Sequence, residues 1–209
     1  MILDIHTHRQ TPYPEGLVNA DIRDFNAVEG QYYSVGVHPW DTSGDITPEI
    51  MAKVNVLAQR PEILAIGECG IDVTKGGPMF RQLQIFKQHV DISESVGKPI
   101  ILHAVKATDI IMGLKRDLNP SQQWIIHGFR GKPQTALMLL KAGIRVSFGP
   151  KFNPEAVAVM PEGTFYAETD DSIETIAEVI SLLSEAANRD VLPEITTATS
   201  QVLRQDPLR

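Results

Sequence analysis

Asp4-Ile5-His6-Thr7-His8 closes the first apolar run of the chain with two imidazoles one residue apart. Residues i and i+2 of an extended segment point to the same side, so His6 and His8 can hold one ion together while Thr7 turns away. Six later stretches share the build of the first run, residues 32–38, 62–68, 99–103, 124–127, 144–148 and 164–170. They are short, partly β-branched or aromatic, and bounded by Gly, Pro or charge, so each reads as a buried strand. Helical patterns separate them. Residues 78–97 carry Phe80, Leu83, Phe86 and Val90 at helical spacing, and Gly97-Lys98-Pro99 supplies a stop. Further helices are read over 48–59, 107–117, 133–142, 172–188 (with Asp171 or Ser172 as N-cap) and 193–204. The Pro/Gly clusters near 11–16, 76–78 and 149–154 read as loops.

Strand-helix alternation without a domain-sized linker predicts a parallel α/β arrangement. Seven strands with mostly single crossovers suit a barrel better than a doubly wound sheet. With 209 residues, 43% hydrophobic and 22% charged, the chain can bury one sizeable core, and residues 1–209 are expected to form a single domain.

What ends each run carries the chemistry. The first ends in His6 with His8 just beyond, the second in His38, the third in Glu68, the fourth in His103, the fifth in His127 and the last in Asp170. A parallel barrel brings the C-terminal ends of all its strands to one face, so these residues are expected to converge. Imidazoles and carboxylates aimed into one pocket are poorly satisfied without a cation, which predicts a divalent metal site. His89, inside the long amphipathic helix, is the exception among the six histidines and is expected on the helix surface. Cys69 falls on the opposite side of its run from Glu68, where a small buried thiol is ordinary. Trp40 and Trp124 are expected to pack in the core or at the rim.

A formal net charge of -7 and a pI near 5.3 argue against binding through a broad basic surface, although a local phosphate site remains compatible. The lone Cys69 excludes an internal disulfide, no apolar run approaches membrane-spanning length, and the first residues lack a signal-peptide core. The expected compartment is the cytoplasm, with no membrane partner.

The ordered motifs resemble those of the TatD-type metal-dependent hydrolases, a family associated with deoxyribonuclease activity. They are D-x-H-x-H (Asp4, His6, His8), G-x-H-P (Gly36, His38, Pro39), G-E-x-G-x-D (Gly67, Glu68, Gly70, Asp72) and the helix with Gln84, Phe86 and Gln88. P-x-x-x-H (Pro99 to His103), H-x-F-x-G (His127, Phe129, Gly131) and E-T-D (Glu168, Thr169, Asp170) follow. The resemblance implies a distorted TIM barrel with two metal ions: His6, His8 and Asp170 on one, His103 and His127 on the other, and Glu68 bridging both. Zinc is the expected bound metal, with magnesium or manganese as activators. The implied reaction is hydrolysis by activated water, with Asp170 taking the proton and Glu68 holding the centre together. DNA or a phosphorylated small molecule is the expected substrate, with His38, Lys106 and Arg130 as candidate contacts. A small ester, lactone or amide on the same centre, or a non-catalytic metal-binding role, are the alternatives.

Departures from the family pattern concern the substrate rim. An Arg commonly stands two residues beyond the fourth-run His, where this chain has Val105 followed by Lys106. Arg130, Lys132 or Lys151 could supply positive charge instead. The stretch between His8 and His38 is shorter than usual, so one strand-helix unit is expected to be reduced or lost. After Asp170, Asp171-Ser172 replace the customary Pro, and the basic loop that normally follows is absent.

Overall fold

The structure is a computed structural model describing residues 1–44 and 48–204. Eight parallel strands close a barrel in sequence order: β1 (Asp4–Thr7), β2 (Gly16–Asn19), β3 (Tyr32–Val35), β4 (Ile63–Asp72), β5 (Ile100–Val105), β6 (Trp124–Ile126), β7 (Ile144–Phe148) and β8 (Phe165–Ala167). The ring shuts where Asp4 of β1 registers with Ala167 of β8. Helices α1 (Pro48–Ala58), α2 (Met79–Val96), α3 (Thr108–Leu118), α4 (Pro133–Lys141) and α5 (Pro154–Ala158) follow β3 to β7 in turn, and α6 (Ile176–Ala187) and α7 (Leu192–Val202) follow β8. Among the described residues, no helix is long and apolar enough to cross a membrane.

All seven expected strands are present, and β2 is the eighth. The shortened unit has kept its strand and lost its helices: residues 8–15 and 20–31, on either side of β2, contain none. A 3₁₀ turn at Pro39–Ser43 and the five-residue α5 were not expected. The helix read from 172 begins instead at Ile176. Thr175 is its cap, accepting from the Glu178 amide while the Glu178 carboxylate takes the Thr175 amide, a reciprocal box that satisfies two otherwise orphaned donors. The Gly97 stop forms as expected, with φ of 68° at the end of α2.

The apolar core has two parts. The larger packs the helices on the barrel and includes Trp124, Phe86, Phe148 and Phe165. The smaller gathers Leu17, Ala65, Ile101, Ile125 and Tyr166 with Ala198 and Leu203. Ile101 and Ile125 lie two residues before His103 and His127, on the same side of their strands, so this layer is the floor on which those imidazoles stand. Each fully buried Ile contributes roughly 1.5–3 kcal/mol, which makes that floor rigid enough to fix positions above it.

His89 corrects the expectation of a surface histidine. It is fully buried in α2, its Nδ1 donating to Ile85 O at 2.8 Å and its Nε2 accepting the Val37 amide at 2.9 Å. Burial pushes it down to about 4, from 6.5. The fold favours its neutral form, so its contribution is complete above pH 6.5 and is lost as the pH falls through about 4. Denaturant melts at pH 7 and pH 4 should differ by about 3 kcal/mol on this account. In His89→Gln that share of the difference should vanish, and an unaltered pH dependence would assign it to other groups.

Candidate metal centre

The polar residues that end the runs meet at one mouth of the barrel. His6 and His103 lie within β1 and β5, Glu68 within β4, and His127 directly after β6. His8, His38 and Asp170 follow β1, β3 and β8 by one to three residues. Glu68 is the hub, and its two oxygens face different partners. Oε2 lies 3.4 Å from His6 Nε2 and 3.3 Å from His8 Nε2. Oε1 lies 2.8 Å from His127 Nε2, 2.9 Å from His103 Nδ1 and 3.0 Å from His38 Nε2. Asp170 Oδ1 approaches His6 and His8 at 3.8 and 3.7 Å. Three trios have donor atoms mutually within 4.8 Å: His6, His8 and Glu68; His6, His127 and Asp170; His38, Glu68 and His103.

This donor set fits divalent cations. His6 is wholly buried, yet neither ring nitrogen has a hydrogen-bond partner, a costly state that an ion on Nε2, the nitrogen facing Glu68 and Asp170, would relieve on that side. Burial would raise the Glu68 carboxyl, but the imidazoles of His127, His103 and His38 outweigh it and hold the group ionised well below the usual range. Burial lowers His127, and Glu68 and Glu168 overcome that effect and raise it well above ordinary. His6 is lowered by burial and by His127, whereas the hydrogen bond to Glu68 raises His8. Adjacent imidazoles pushed in opposite directions show how closely the rings are crowded, with His6 and His127 centroids 4.3 Å apart.

A second layer of polar residues fixes the first. Asp72 Oδ2 accepts Trp40 Nε1 at 2.6 Å and lies 3.3 Å from His103 Nε2, while its Oδ1 takes the Thr74 amide and hydroxyl. Glu168, fully buried, accepts from Ser147 Oγ and faces His127 Nδ1 at 3.5 Å. These carboxylates leave His103 Nδ1 and His127 Nε2 aimed at Glu68. Asp4, which burial pushes up to about 7, accepts Thr169 N and Oγ1 at 3.0 and 2.6 Å. Mutual backbone bonds, Asp170 N to His6 O and His8 N to Asp170 O, then hold Asp170 beside the two histidines. Asn19, at the end of β2, accepts the Glu68 amide at 2.8 Å. Asp4, Asp72 and Glu168 stand in the quoted motifs without an expected role. Their positions two or four residues from a ligand candidate were the available signal, and Asn19 had none.

The close pairing of β4 with β5 explains Gly70. It registers with His103 at φ of 140°, and a Cβ there would stand 2.1 Å from His103 O. Gly70→Ala should therefore push β5 away from β4, displace His103 from Glu68 and lower stability by about 2 kcal/mol or more. Thermal melting checks this, and an unchanged transition would show that the strands can part without cost.

The candidate substrate contacts fare differently. His38 stands within the cluster itself rather than at its edge, 3.2 Å from His103 Nδ1. Lys106 is exposed just past β5, and no hydrogen bond or ion pair ties it to the cluster. Arg130 is exposed too, and with Lys151, Asp170 and Asp171 it lines a shallow pocket beside the centre. Trp40 is half exposed at the rim, edge-on to His38 and His103, and Trp124 is fully buried. Cys69 is buried as expected, and burial pushes its thiol well up.

A parallel α/β barrel that gathers imidazoles and carboxylates at the C-terminal ends of its strands is a TIM-like barrel with a candidate metal centre at its mouth. The family model described as TatD related DNase matches residues 20–196, and the chain belongs to that family. The metal-dependent hydrolase YabD of Bacillus subtilis (strain 168) is 30% identical over 148 residues, 66% of this chain and 58% of that protein. The 3'-5' ssDNA/RNA exonuclease TatD of Erwinia billingiae is 28% identical over 115 residues, 54% of this chain and 44% of that protein. The chain therefore spans about half the length of these curated relatives. The crystal structure of YJJV, a TatD homolog from Escherichia coli K12, superposes with a TM-score of 0.81 at 17% identity and covers 97% of both chains, a likeness of fold.

Proposed function

We propose that the cluster binds two divalent cations and that the chain hydrolyses phosphodiester bonds, with DNA as the candidate substrate. The observation that carries this reading is the division of Glu68, one oxygen toward His6 and His8 and the other toward His103 and His127. A bridging carboxylate of that kind holds two ions close together. His6, His8 and Asp170 would hold one ion, and His103 and His127 the other, with His38 at hand beside them. Zinc is the proposed resident metal, and magnesium or manganese could replace it as activators. Such ions make water a competent nucleophile near neutral pH and offset charge on phosphoryl oxygens.

The chain's own residues do the rest. Asp170, one-quarter exposed, reaches the cluster from the rim and takes the proton of the attacking water. The water oxygen joins phosphorus, the ester P–O bond breaks, and the leaving oxygen departs as an alcohol with the proton that Asp170 took. The nuclease name of the Erwinia relative supports a nucleic-acid substrate. A second reading, hydrolysis of a small ester, lactone or amide, is favoured by Val105 at the position where the family commonly has Arg. The proposed setting is the cytoplasm, as the acidic sequence with its single cysteine suggests.

Metal analysis followed by assay on a chromogenic phosphodiester, a chromogenic carboxylic ester and single-stranded DNA tests the proposal. Phosphodiester turnover lost to chelator and restored by divalent metal supports it. Ester-only turnover favours the second reading, and no turnover at full metal occupancy rejects both. Trp40→Phe tests the supporting layer. It removes the donor to Asp72, so affinity for the ion on the His103 side should weaken by about tenfold in a competitive chelator titration. Undiminished affinity would show that Asp72 positions His103 unaided.

A further inference from the structure

The loop that leaves β4 is closely fastened. Asp72 Oδ1 accepts the Lys75 amide at 3.1 Å in addition to Thr74, and the buried Gln82 side chain donates to the carbonyls of Asp72, Lys75 and Gly77 at 2.9–3.0 Å. The Gly77 amide donates to Thr42 Oγ1 at 3.0 Å, which ties the loop to the 3₁₀ turn that carries Trp40. The Lys75 backbone is thereby fixed beside that turn, and its Nζ stands over the Trp40 ring, 4.1 Å from the ring centre. The same ring lies 4.8 Å from His38 and 5.7 Å from His103, centre to centre. The ammonium is therefore at the mouth of the barrel, one aromatic ring from the cluster.

That charge is not neutralised locally. Lys75 is exposed, and among the described residues no ion pair ties it to an acid. Asp72 gives one oxygen to the loop and the other to Trp40 Nε1 and His103. Asp41, next to Trp40 in the turn, lines the cavity on the His38 side together with Arg23, whose carbonyl Lys53 Nζ reaches at 3.0 Å. Lys106 adjoins the Lys75 loop through the Asp72–Val105 register and is exposed too, but no contact seats its ammonium and Asp109 opens the helix behind it. A lysine side chain ordinarily wanders, whereas one held over a Trp face by the ring's quadrupole is ordered in advance, so less freedom remains to be lost when an anion meets it.

Resting on the phosphodiesterase reading above, we propose that Lys75, seated on Trp40, binds a second phosphate of the substrate, the one beside the scissile phosphate on the His103 side. The ammonium donates to its oxygens. Trp40 acts as a seat for charge, and the face under Lys75 is closed to a base. The mouth therefore selects substrates with two neighbouring phosphates over lone diesters, through a residue outside the cluster.

Calorimetry of metal-replete protein tests this with three probes that contain no phosphodiester: thymidine 3',5'-bisphosphate, thymidine 5'-monophosphate and thymidine 3'-monophosphate. The bisphosphate should bind about tenfold tighter than either monophosphate. In Lys75→Met that advantage should vanish while affinity for the tighter monophosphate changes by less than about twofold, and Lys75→Arg should restore it. The slope of log affinity for the bisphosphate against log salt should fall by about one in Lys75→Met. Lys87→Met, at an exposed lysine of α2, should leave all three affinities as they are. A bisphosphate that binds no tighter than the monophosphates overturns the proposal. So do equal losses for all three probes in Lys75→Met, which would make Lys75 a prop for Trp40. None of the probes is cut, so the result stands apart from the turnover assays. Preference for the bisphosphate through Lys75 at a centre that cuts no diester keeps the phosphate site and rejects only the reading it rests on.

Discussion

On the two-ion centre proposed above, Glu68→Gln should reduce metal-dependent turnover by about a thousandfold or more and cut metal content from two ions per chain to one or none. The substitution keeps the shape of the side chain and removes one of two lone-pair-bearing oxygens. Whichever way the amide turns, its NH₂ faces either the His6 and His8 nitrogens, 3.3–3.4 Å away, or the three nitrogens of His38, His103 and His127 at 2.8–3.0 Å. An NH₂ group offers no lone pair to a cation, so one half of the centre loses its bridge. The lost negative charge weakens the other half, because Glu68 is only 4% exposed and its charge is poorly screened there. Asp170→Asn is the informative comparison. Three donors remain around the ion proposed for it, so metal should be largely retained while the proposed proton acceptor is gone, and the rate should fall with little change in occupancy. Two ions per chain and near-normal turnover in Glu68→Gln would remove the bridging role.

The mouth of the barrel was legible because its members share a rule: each ends or closely follows an apolar run, and parallel strands bring such ends together. His6, His103 and His127 illustrate it, with buried Ile101 and Ile125 two residues before the last two. What stayed hidden depends on partners that hydropathy does not register. The face of α2 is the plainest case. Its apolar spacing puts Phe80 on the inner side, yet Phe80 is 71% exposed while Gln82 and His89 are buried. Gln82 takes an inward position because it bonds Asp72 N and O, Lys75 O and Gly77 O, and His89 does so because it receives the Val37 amide. A periodicity reading counts side-chain polarity and cannot see those satisfied bonds. Strand β2 was hidden for another reason. Its four residues follow two prolines, and a segment so short carries no period; its place comes from Leu17, Val18 and Asn19 pairing with Tyr32, Tyr33 and Ser34. Roles for Asp72, Glu168 and Asn19 likewise needed distances, since their types and spacing alone suit many surfaces.

Loading the centre with metal should raise the thermal transition by about 8–16 °C per occupied site when free ion stands near a thousandfold above its dissociation constant. Linkage sets the size of the gain: binding only to the folded chain contributes about 4.1 kcal/mol at that ratio. A chain of this length shifts by about 2–4 °C per kcal/mol. The metal-free fold has a specific cost for the ion to relieve, the Nε2 of the fully buried His6, which has no hydrogen-bond partner. Glu68 and Glu168 raise His127 against its burial, which favours a proton where an ion would sit. The gain should therefore shrink as the pH falls through the imidazole range, since protons compete for the same nitrogens. His6→Ala with His8→Ala should forfeit one site's share and leave a smaller shift from His103 and His127, whereas Leu182→Ala, on the exposed face of α6, should retain the full one. Scanning calorimetry with and without chelator measures all three. A transition indifferent to metal in the unaltered chain would mean that the cluster satisfies itself by internal hydrogen bonds and holds no ion at these concentrations.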